Sequence, residues 1–130
     1  MDITHLLALS IKEGASDLHL SAGLPPILRI DGDLVRMDLP VLRPKQVDEL
    51  VNEVLNQTQI KALKDGIEID FSFEIPDVAR FRANIFNQNL GEAAVFRAIP
   101  SAIPTLNELG LGEIFKKLAL LPRGLVLITG

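Results

Sequence analysis

Apolar residues recur along the chain with two different spacings, which predict a mixture of helices and strands. Helical spacing, in which apolar positions return every three or four residues, is present over residues 3–13 and again over residues 47–55. Asp2 is suited to cap the first of these helices, and Pro44 to open the second, where its missing N–H costs nothing. A shorter helix is expected at residues 58–65.

Alternation of apolar and polar residues predicts the strands, because successive side chains of a strand point to opposite faces of its sheet. Residues 16–21 alternate in this way, and residues 79–88 and 92–99 indicate two strands joined by a short Asn/Gly turn. The most regular alternation lies in residues 67–75, whose apolar members are expected to face inward: Ile67, Ile69, Phe71, Phe73 and Ile75.

Residues 25–38 predict a β-hairpin. Asp31 and Gly32 occupy its centre, and this dipeptide favours the two positive φ angles of a type I′ turn. With that turn, Arg29 and Arg36 fall on one face, and the other face carries the apolar residues Leu28, Ile30, Val35 and Met37.

The character of the sequence changes after Pro100. Thr105 and Glu108 have the spacing of a capping box, which predicts a helix with apolar positions at Leu111, Ile114, Phe115 and Leu118. The run GLVLITG, residues 124–130, is typical of a strand that is covered on both faces.

These patterns predict an α+β fold in two parts. Over residues 1–100 we expect helices packed on a mostly antiparallel sheet, and over residues 101–130 a linker followed by the first helix and strand of a second unit. A chain of 130 residues with 48% hydrophobic residues is large enough to bury a real core.

Composition excludes several classes of function. The net charge of −4 and the absence of Trp and Tyr argue against a nucleic-acid-binding protein. Two histidines and no cysteine leave little from which to build a metal centre, so none is expected. No signal peptide is recognisable, and no window approaches the roughly 18 apolar residues of a membrane span. A soluble cytoplasmic protein is the expectation.

Three arginines are the main candidates for chemistry. Arg80 and Arg82 lie on one face of their strand, and Arg97 interrupts an apolar strand, where a guanidinium needs an anion or several acceptors. The planar guanidinium suits phosphate, so a phosphate contact is one interpretation. The other is an ion pair with the acidic residues of the 67–75 strand, Glu68, Asp70 and Glu74.

The remaining polar candidates predict no catalysis. Asp70 and Glu74 lie on a regular polar strand face, and Asp31 and Asp33 lie at a turn, so solvated surface is expected for both pairs. His19 is expected to form a hydrogen bond within the domain. No catalytic residue is therefore predicted in these 130 residues.

Six stretches together resemble one family in their order and spacing: ASDLHLSAG (15–23), PPILRIDGDL (25–34), DFSFEIP (70–76), ARFRANIFNQ (79–88), AVFRAIP (94–100) and LALLPRGLVLITG (118–130). They resemble the secretion-type hexameric ATPases and, within that superfamily, the ATPases that retract type IV pili in twitching motility. The short segment before ASDLHL is similar to the retraction enzymes, since the extension ATPases usually carry a longer N-terminal region.

The resemblance implies a PAS-like N-terminal domain over residues 1–100 and the start of a RecA-like ATPase domain over residues 101–130. It makes Gly130 the first glycine of a phosphate-binding loop, whereas the residues alone favour an ordinary buried strand. The Walker A and B residues would then lie beyond Gly130. We therefore expect these residues alone to be inactive and to bind neither ATP nor Mg²⁺ tightly.

The resemblance also gives the arginines a role. It implies that Arg82 and Arg97, with Arg80 as a third position, contact nucleotide phosphates that the ATPase domain holds, in the manner of arginine fingers. It further implies a homo-hexamer that works with the inner-membrane pilus machinery at the cytoplasmic face. Two alternatives stay open: a free-standing PAS-like sensor or interaction module, and a purely structural subunit-contact domain in which the arginines have no role.

Overall fold

The structure is a computed structural model that describes residues 1–130. Its helices and strands are, in chain order, α1 (Ile3–Lys12), β1 (Asp17–Ser21), β2 (Ile27–Ile30), β3 (Asp33–Arg36), α2 (Pro44–Asn52), α3 (Gln57–Lys64), β4 (Ile69–Ile75), β5 (Ala79–Gln88), β6 (Gly91–Ile99) and α4 (Glu113–Ala119). The predicted α+β fold, an antiparallel sheet flanked by helices, is confirmed.

The six strands form one sheet in the order β3-β2-β1-β6-β5-β4. Every neighbouring pair is antiparallel. The hairpin β2–β3 pairs with β1, and the three consecutive strands β4, β5 and β6 form a meander. The pairing of β1 with β6 joins these two halves and makes the first and last strands of the sequence central neighbours.

Helices α1, α2 and α3 pack on one face of this sheet. Their apolar stripes and the inward residues of the strands form a single core, whose largest fully buried members are Phe81, Phe96, Ile3, Leu6, Leu7, Leu18, Leu20, Leu63, Ile85, Val47 and Val51. The opposite face of the sheet has no covering helix, and we call it the open face.

Local signals explain where several elements begin and turn. The Asp2 carboxylate accepts a hydrogen bond of 2.7 Å from the His5 backbone N–H, which caps α1 as predicted. At the hairpin, Asp31 and Gly32 have φ angles of 50° and 89°, and Leu28 lies opposite Val35. The predicted type I′ turn and the faces assigned to the hairpin are confirmed.

The inward placement predicted for Ile67 is wrong, since this side chain is 57% exposed and precedes β4. Its backbone N–H donates to the carbonyl of Ala62, so the chain is still completing the end of α3 at this position. The sheet ladder begins only at Ile69, opposite Ile85.

Residues 101–130 contain less regular structure than predicted, and none of them is buried. Thr105 and Glu108 form the reciprocal bonds of a capping box, but the chain then makes a single turn that ends at Gly110, and α4 starts afresh at Glu113. Residues 124–130 form no strand, because no other strand lies beside them to complete a ladder.

None of the helices has the length and hydrophobicity needed to cross a lipid bilayer.

Candidate functional site

The open face carries a line of mostly charged side chains that crosses the whole sheet. Strand alternation turns Leu18 and Phe96 into the core, so the residues before and after them point to the open face. The register then sets one residue of each strand directly opposite the next, and we call this line the central row: Ser72, Arg82, Arg97, Asp17, Arg29 and Leu34.

Arg82 is paired with Asp70 of β4. Its Nε donates to Oδ1 at 3.0 Å and its Nη2 donates to Oδ2 at 2.9 Å, a bidentate geometry. Both side chains are largely exposed, at 65% and 46%. The hydrogen bonds from Arg82 hold the pKa of Asp70 below its ordinary value. The predicted alternative of an ion pair with the acidic strand is therefore confirmed for Arg82.

Arg97 is paired with Asp17 of β1, a partner that the sequence did not suggest. Its Nε donates to Asp17 Oδ1 at 2.9 Å. The alternative of an ion pair with the acidic strand is wrong for Arg97, because β6 lies between β5 and β1 while β4 is two strands away. The apolar residues around Arg97 in the sequence do not bury its guanidinium, since the side chain is 68% exposed on the open face.

Asp17 is the buried centre of this group, with only 4% of its side chain exposed. Besides the bond from Arg97, its Oδ2 accepts a hydrogen bond of 2.8 Å from Ser16 Oγ and lies 3.6 Å from Arg29 Nε. Burial acts to raise the pKa of Asp17, but the hydrogen bonds from Ser16 and Arg97 outweigh it, so the pKa is lowered. The only sequence signal for this residue was a carboxylate at an outward position of a short strand.

The structure separates Arg80 from the other two arginines of the prediction. Arg80 lies on β5 two residues before Arg82, on the same face of the sheet and opposite Glu74 and Ile99. Its Nη2 donates to Ser72 Oγ at 3.2 Å. It borders a different depression, of about 500 Å³, that includes Ser101. Gly130 belongs to no element and does not line the groove beside Arg82 and Arg97.

A shallow groove of about 360 Å³ lies between the paired arginines, lined by Asp70, Arg82, Asn84, Val95 and Arg97. Arg82 and Arg97 lie directly opposite each other on adjacent strands, a placement in which like charges repel. Each has one carboxylate partner, and both Nη groups of Arg97 lack a hydrogen-bond acceptor. This arrangement favours an anion that accepts from both guanidinium groups, and phosphate has the matching geometry.

His19 lies beside the central row, opposite Val95 and Ile27. Its Nε2 is buried and has no hydrogen-bond partner, so the hydrogen bond expected within the domain is not formed by this atom. Burial lowers the pKa of His19, although the carboxylate of Asp17 acts in the opposite sense. No group of three or more His, Cys, Asp or Glu side chains is arranged to hold a metal ion.

Comparison with known proteins finds relatives that act in pilus retraction and twitching motility. No protein-family profile matches the chain. It is 60% identical over 130 residues to the type IV pilus retraction ATPase PilT of Pseudomonas aeruginosa, and the alignment covers all of this chain and 38% of that protein. It is also 49% identical over 105 residues to a twitching motility protein of Neisseria gonorrhoeae, covering 81% of this chain and 28% of the relative.

A solved structure matches as well. The crystal structure of the pilus retraction motor PilT with bound ADP superimposes with a TM-score of 0.78 and 38% sequence identity, over 91% of this chain and 35% of that one. The chain thus spans between 28% and 38% of the length of these proteins.

Proposed function

This chain belongs, along its whole length, to the PilT-type family of pilus ATPases, and on that premise we propose that residues 1–100 form a nucleotide-sensing and oligomerisation domain. The complete protein is then a homo-hexameric ATPase that powers type IV pilus retraction and twitching motility. Residues 101–130 are the linker and the beginning of its RecA-like ATPase domain, with Gly130 at the start of the phosphate-binding loop. The exposed apolar run Leu125–Ile128 supports this division, because such a surface favours a covering domain.

The observation that carries the proposal is the direct opposition of Arg82 and Arg97 across the groove. In the proposed role both side chains contact phosphates of ATP, with Arg80 as a third, more distant donor. Hydrogen bonds to charged groups contribute about 1.5–3 kcal/mol each, and association costs at least about 4 kcal/mol. Two such contacts leave at most about 2 kcal/mol, a dissociation constant of roughly 30 mM. The ATPase domain must therefore hold ATP and Mg²⁺ while the arginines respond to it.

The same premise gives the proposed partners and location. The hexamer works in the cytoplasm, at the cytoplasmic face of the inner membrane, where it acts on the pilus machinery through protein partners. This role involves no nucleic acid, in keeping with the net charge of −4, and no membrane-spanning segment of the protein's own.

The decisive experiment is ATP hydrolysis by the complete protein encoded by the parent gene, with Arg97→Ala compared with Arg36→Ala. Arg36 is a matched control, since it is an exposed arginine at the edge strand β3 of the same open face. Loss of one charge-assisted contact predicts a turnover about 10- to 100-fold lower for Arg97→Ala, with unchanged circular dichroism. Equal turnover of the two variants would remove Arg97 from the mechanism.

The gene itself gives a second test. Beyond Gly130 the parent sequence is expected to continue with Gly-Lys followed by Ser or Thr within about eight residues. A sequence without that motif contradicts the assignment of an ATPase domain.

The alternative of a small-molecule sensor has one observation in its favour. A groove of about 310 Å³ lies between α1 and the β2–β3 hairpin, and most of its lining is apolar, including Leu9, Leu28 and Met37. Thermal-shift measurements that compare nucleotides with other small metabolites separate the two functions. Stabilisation by a non-nucleotide ligand, lost on Leu28→Gln, supports the sensor.

A further inference from the structure

The two arginines of the groove are engaged to different extents. Arg82 uses both Nε and Nη2 on one carboxylate, which occupies a complete bidentate edge of the guanidinium. Arg97 is held through Nε alone, and the Nη groups at its far end have no acceptor. Arg97 therefore offers both Nη groups to an anion, whereas Arg82 offers its Nε–Nη2 edge only after Asp70 has left it.

The two carboxylates differ in the opposite way. Asp17 is 4% exposed and is fixed by Ser16 and Arg29 as well as by Arg97. Asp70 is 46% exposed, and Arg82 is its one partner. Withdrawing Asp17 would break contacts on three sides, but Asp70 can rotate into water, which solvates its carboxylate well.

We propose that Asp17 is a positioning residue that fixes Arg97 as the permanent phosphate donor, and that Asp70 is an exchangeable counter-ion that phosphate displaces from Arg82. This inference rests on the proposed contact of both arginines with nucleotide phosphates. A terminal phosphate offers the same paired oxygen acceptors as the Asp70 carboxylate and carries more negative charge. It therefore replaces Asp70 with little change in the position of the guanidinium.

The two roles predict effects of opposite sign. Loss of the Asp70 charge frees Arg82, so nucleotide no longer competes with a resident carboxylate and binds more tightly. Loss of the Asp17 charge leaves Arg97 without its anchor at Nε, so nucleotide binds more weakly. A carboxylate that served only to balance charge would give the same sign at both positions, because removing either one makes the groove more positive.

The test uses the complete hexameric protein and measures the dissociation constant of a non-hydrolysable ATP analogue, together with kcat and KM for ATP. Asp70→Asn is expected to tighten analogue binding by about 3- to 10-fold and Asp17→Asn to weaken it by about 10-fold. Asp33→Asn is the control, because Asp33 is an exposed aspartate of β3 that makes no ion pair.

A double-mutant comparison separates positioning from a merely structural role. If Asp17 acts through Arg97, Asp17→Asn has no further effect on analogue binding in an Arg97→Ala background. A further loss in that background overturns the positioning role, and weaker binding by Asp70→Asn overturns the counter-ion role.

Two outcomes keep the test decisive. Should Asp17→Asn fail to fold, Arg97→Lys takes its place. Lysine keeps the positive charge, but its single nitrogen cannot bond Asp17 and leave two further nitrogens for phosphate. Unchanged analogue binding by Arg97→Lys contradicts the inference. If neither Arg82→Ala nor Arg97→Ala alters analogue binding, the proposed function itself fails, which is a different result from an arginine effect without an Asp17 effect.

Discussion

Replacing Asp17 by asparagine keeps the size of the side chain but removes a buried charge and puts an N–H₂ donor where an acceptor is needed. The amide oxygen of asparagine can take the place of only one carboxylate oxygen, so either Arg97, which donates to Oδ1, or Ser16 and Arg29, which approach Oδ2, would face an N–H₂ donor instead of an acceptor. We predict that this change lowers the free energy of unfolding of the present chain.

The magnitude follows from the exposure of the partners. Hydrogen bonds to a charged group contribute about 1.5–3 kcal/mol each. Arg97 and Arg29 are 68% and 39% exposed, so water competes for them and reduces their share. A net loss of about 1–3 kcal/mol remains. At about 4–8 °C per kcal/mol for a domain of this size, the melting temperature falls by about 5–20 °C.

Urea unfolding followed by far-ultraviolet circular dichroism measures this loss, because the chain has no Trp or Tyr to give a strong fluorescence signal. Asp70→Asn is the matched control, since it breaks an aspartate–arginine pair that is exposed on both sides. Its loss of stability is expected to be clearly smaller than that of Asp17→Asn. Equal losses would refute the argument from burial.

The change in the free energy of unfolding at acid pH tests the same prediction. The folded-state pKa of Asp17 is lowered from the ordinary value of 3.8. Its contribution to stability is therefore fully present above that value and is lost as the pH falls through the lowered folded-state pKa. The stability difference between wild type and Asp17→Asn is expected to shrink below about pH 4, and a difference that stays constant down to about pH 2 contradicts the assignment.

Three further changes test the core and the remaining perturbed groups. Phe96→Ala removes a ring that is 1% exposed and meets the Phe73 ring edge-on, with 6.2 Å between the ring centroids. Urea unfolding should show that the free energy of unfolding falls by about 3–5 kcal/mol. A fall of less than about 1 kcal/mol contradicts the placement of Phe96 in the core. Burial and the charge of Asp48 raise the pKa of Glu92, so the ionised form of Glu92 opposes folding. Glu92→Gln should therefore raise the free energy of unfolding at about pH 7 but not at about pH 4, and a lower free energy of unfolding at neutral pH refutes this. Burial lowers the pKa of His19 from 6.5, so wild-type melting temperature should fall as the pH drops below that value, and a fall equally steep in His19→Gln excludes His19 as its cause.

The local elements were predictable because their causes lie within a few residues of each other. The capping of α1 by Asp2 needs only the N–H three residues on, and the turn at Asp31 and Gly32 needs only their tolerance of positive φ. Alternation likewise identified the strands β4 and β5, since burial of one sheet face selects every second residue.

Two of the failures share one cause, which is that their outcome depends on a distant partner. Residues 124–130 have the composition of a strand, but no neighbouring strand is present to accept their hydrogen bonds. The partner of Arg97 was misassigned because Asp17 lies 80 residues earlier in the sequence and no local pattern links the two.

The sequence was therefore sufficient for the kind of each helix and strand that forms the sheet domain, and for the common face of Arg80 and Arg82 on their strand. The order of the strands came from the assembled sheet alone, and with it the position of Arg97 between Arg82 and Asp17. The physical reason is that side-chain alternation is a property of one strand, whereas strand neighbours are chosen by how the whole core packs and how its loops close.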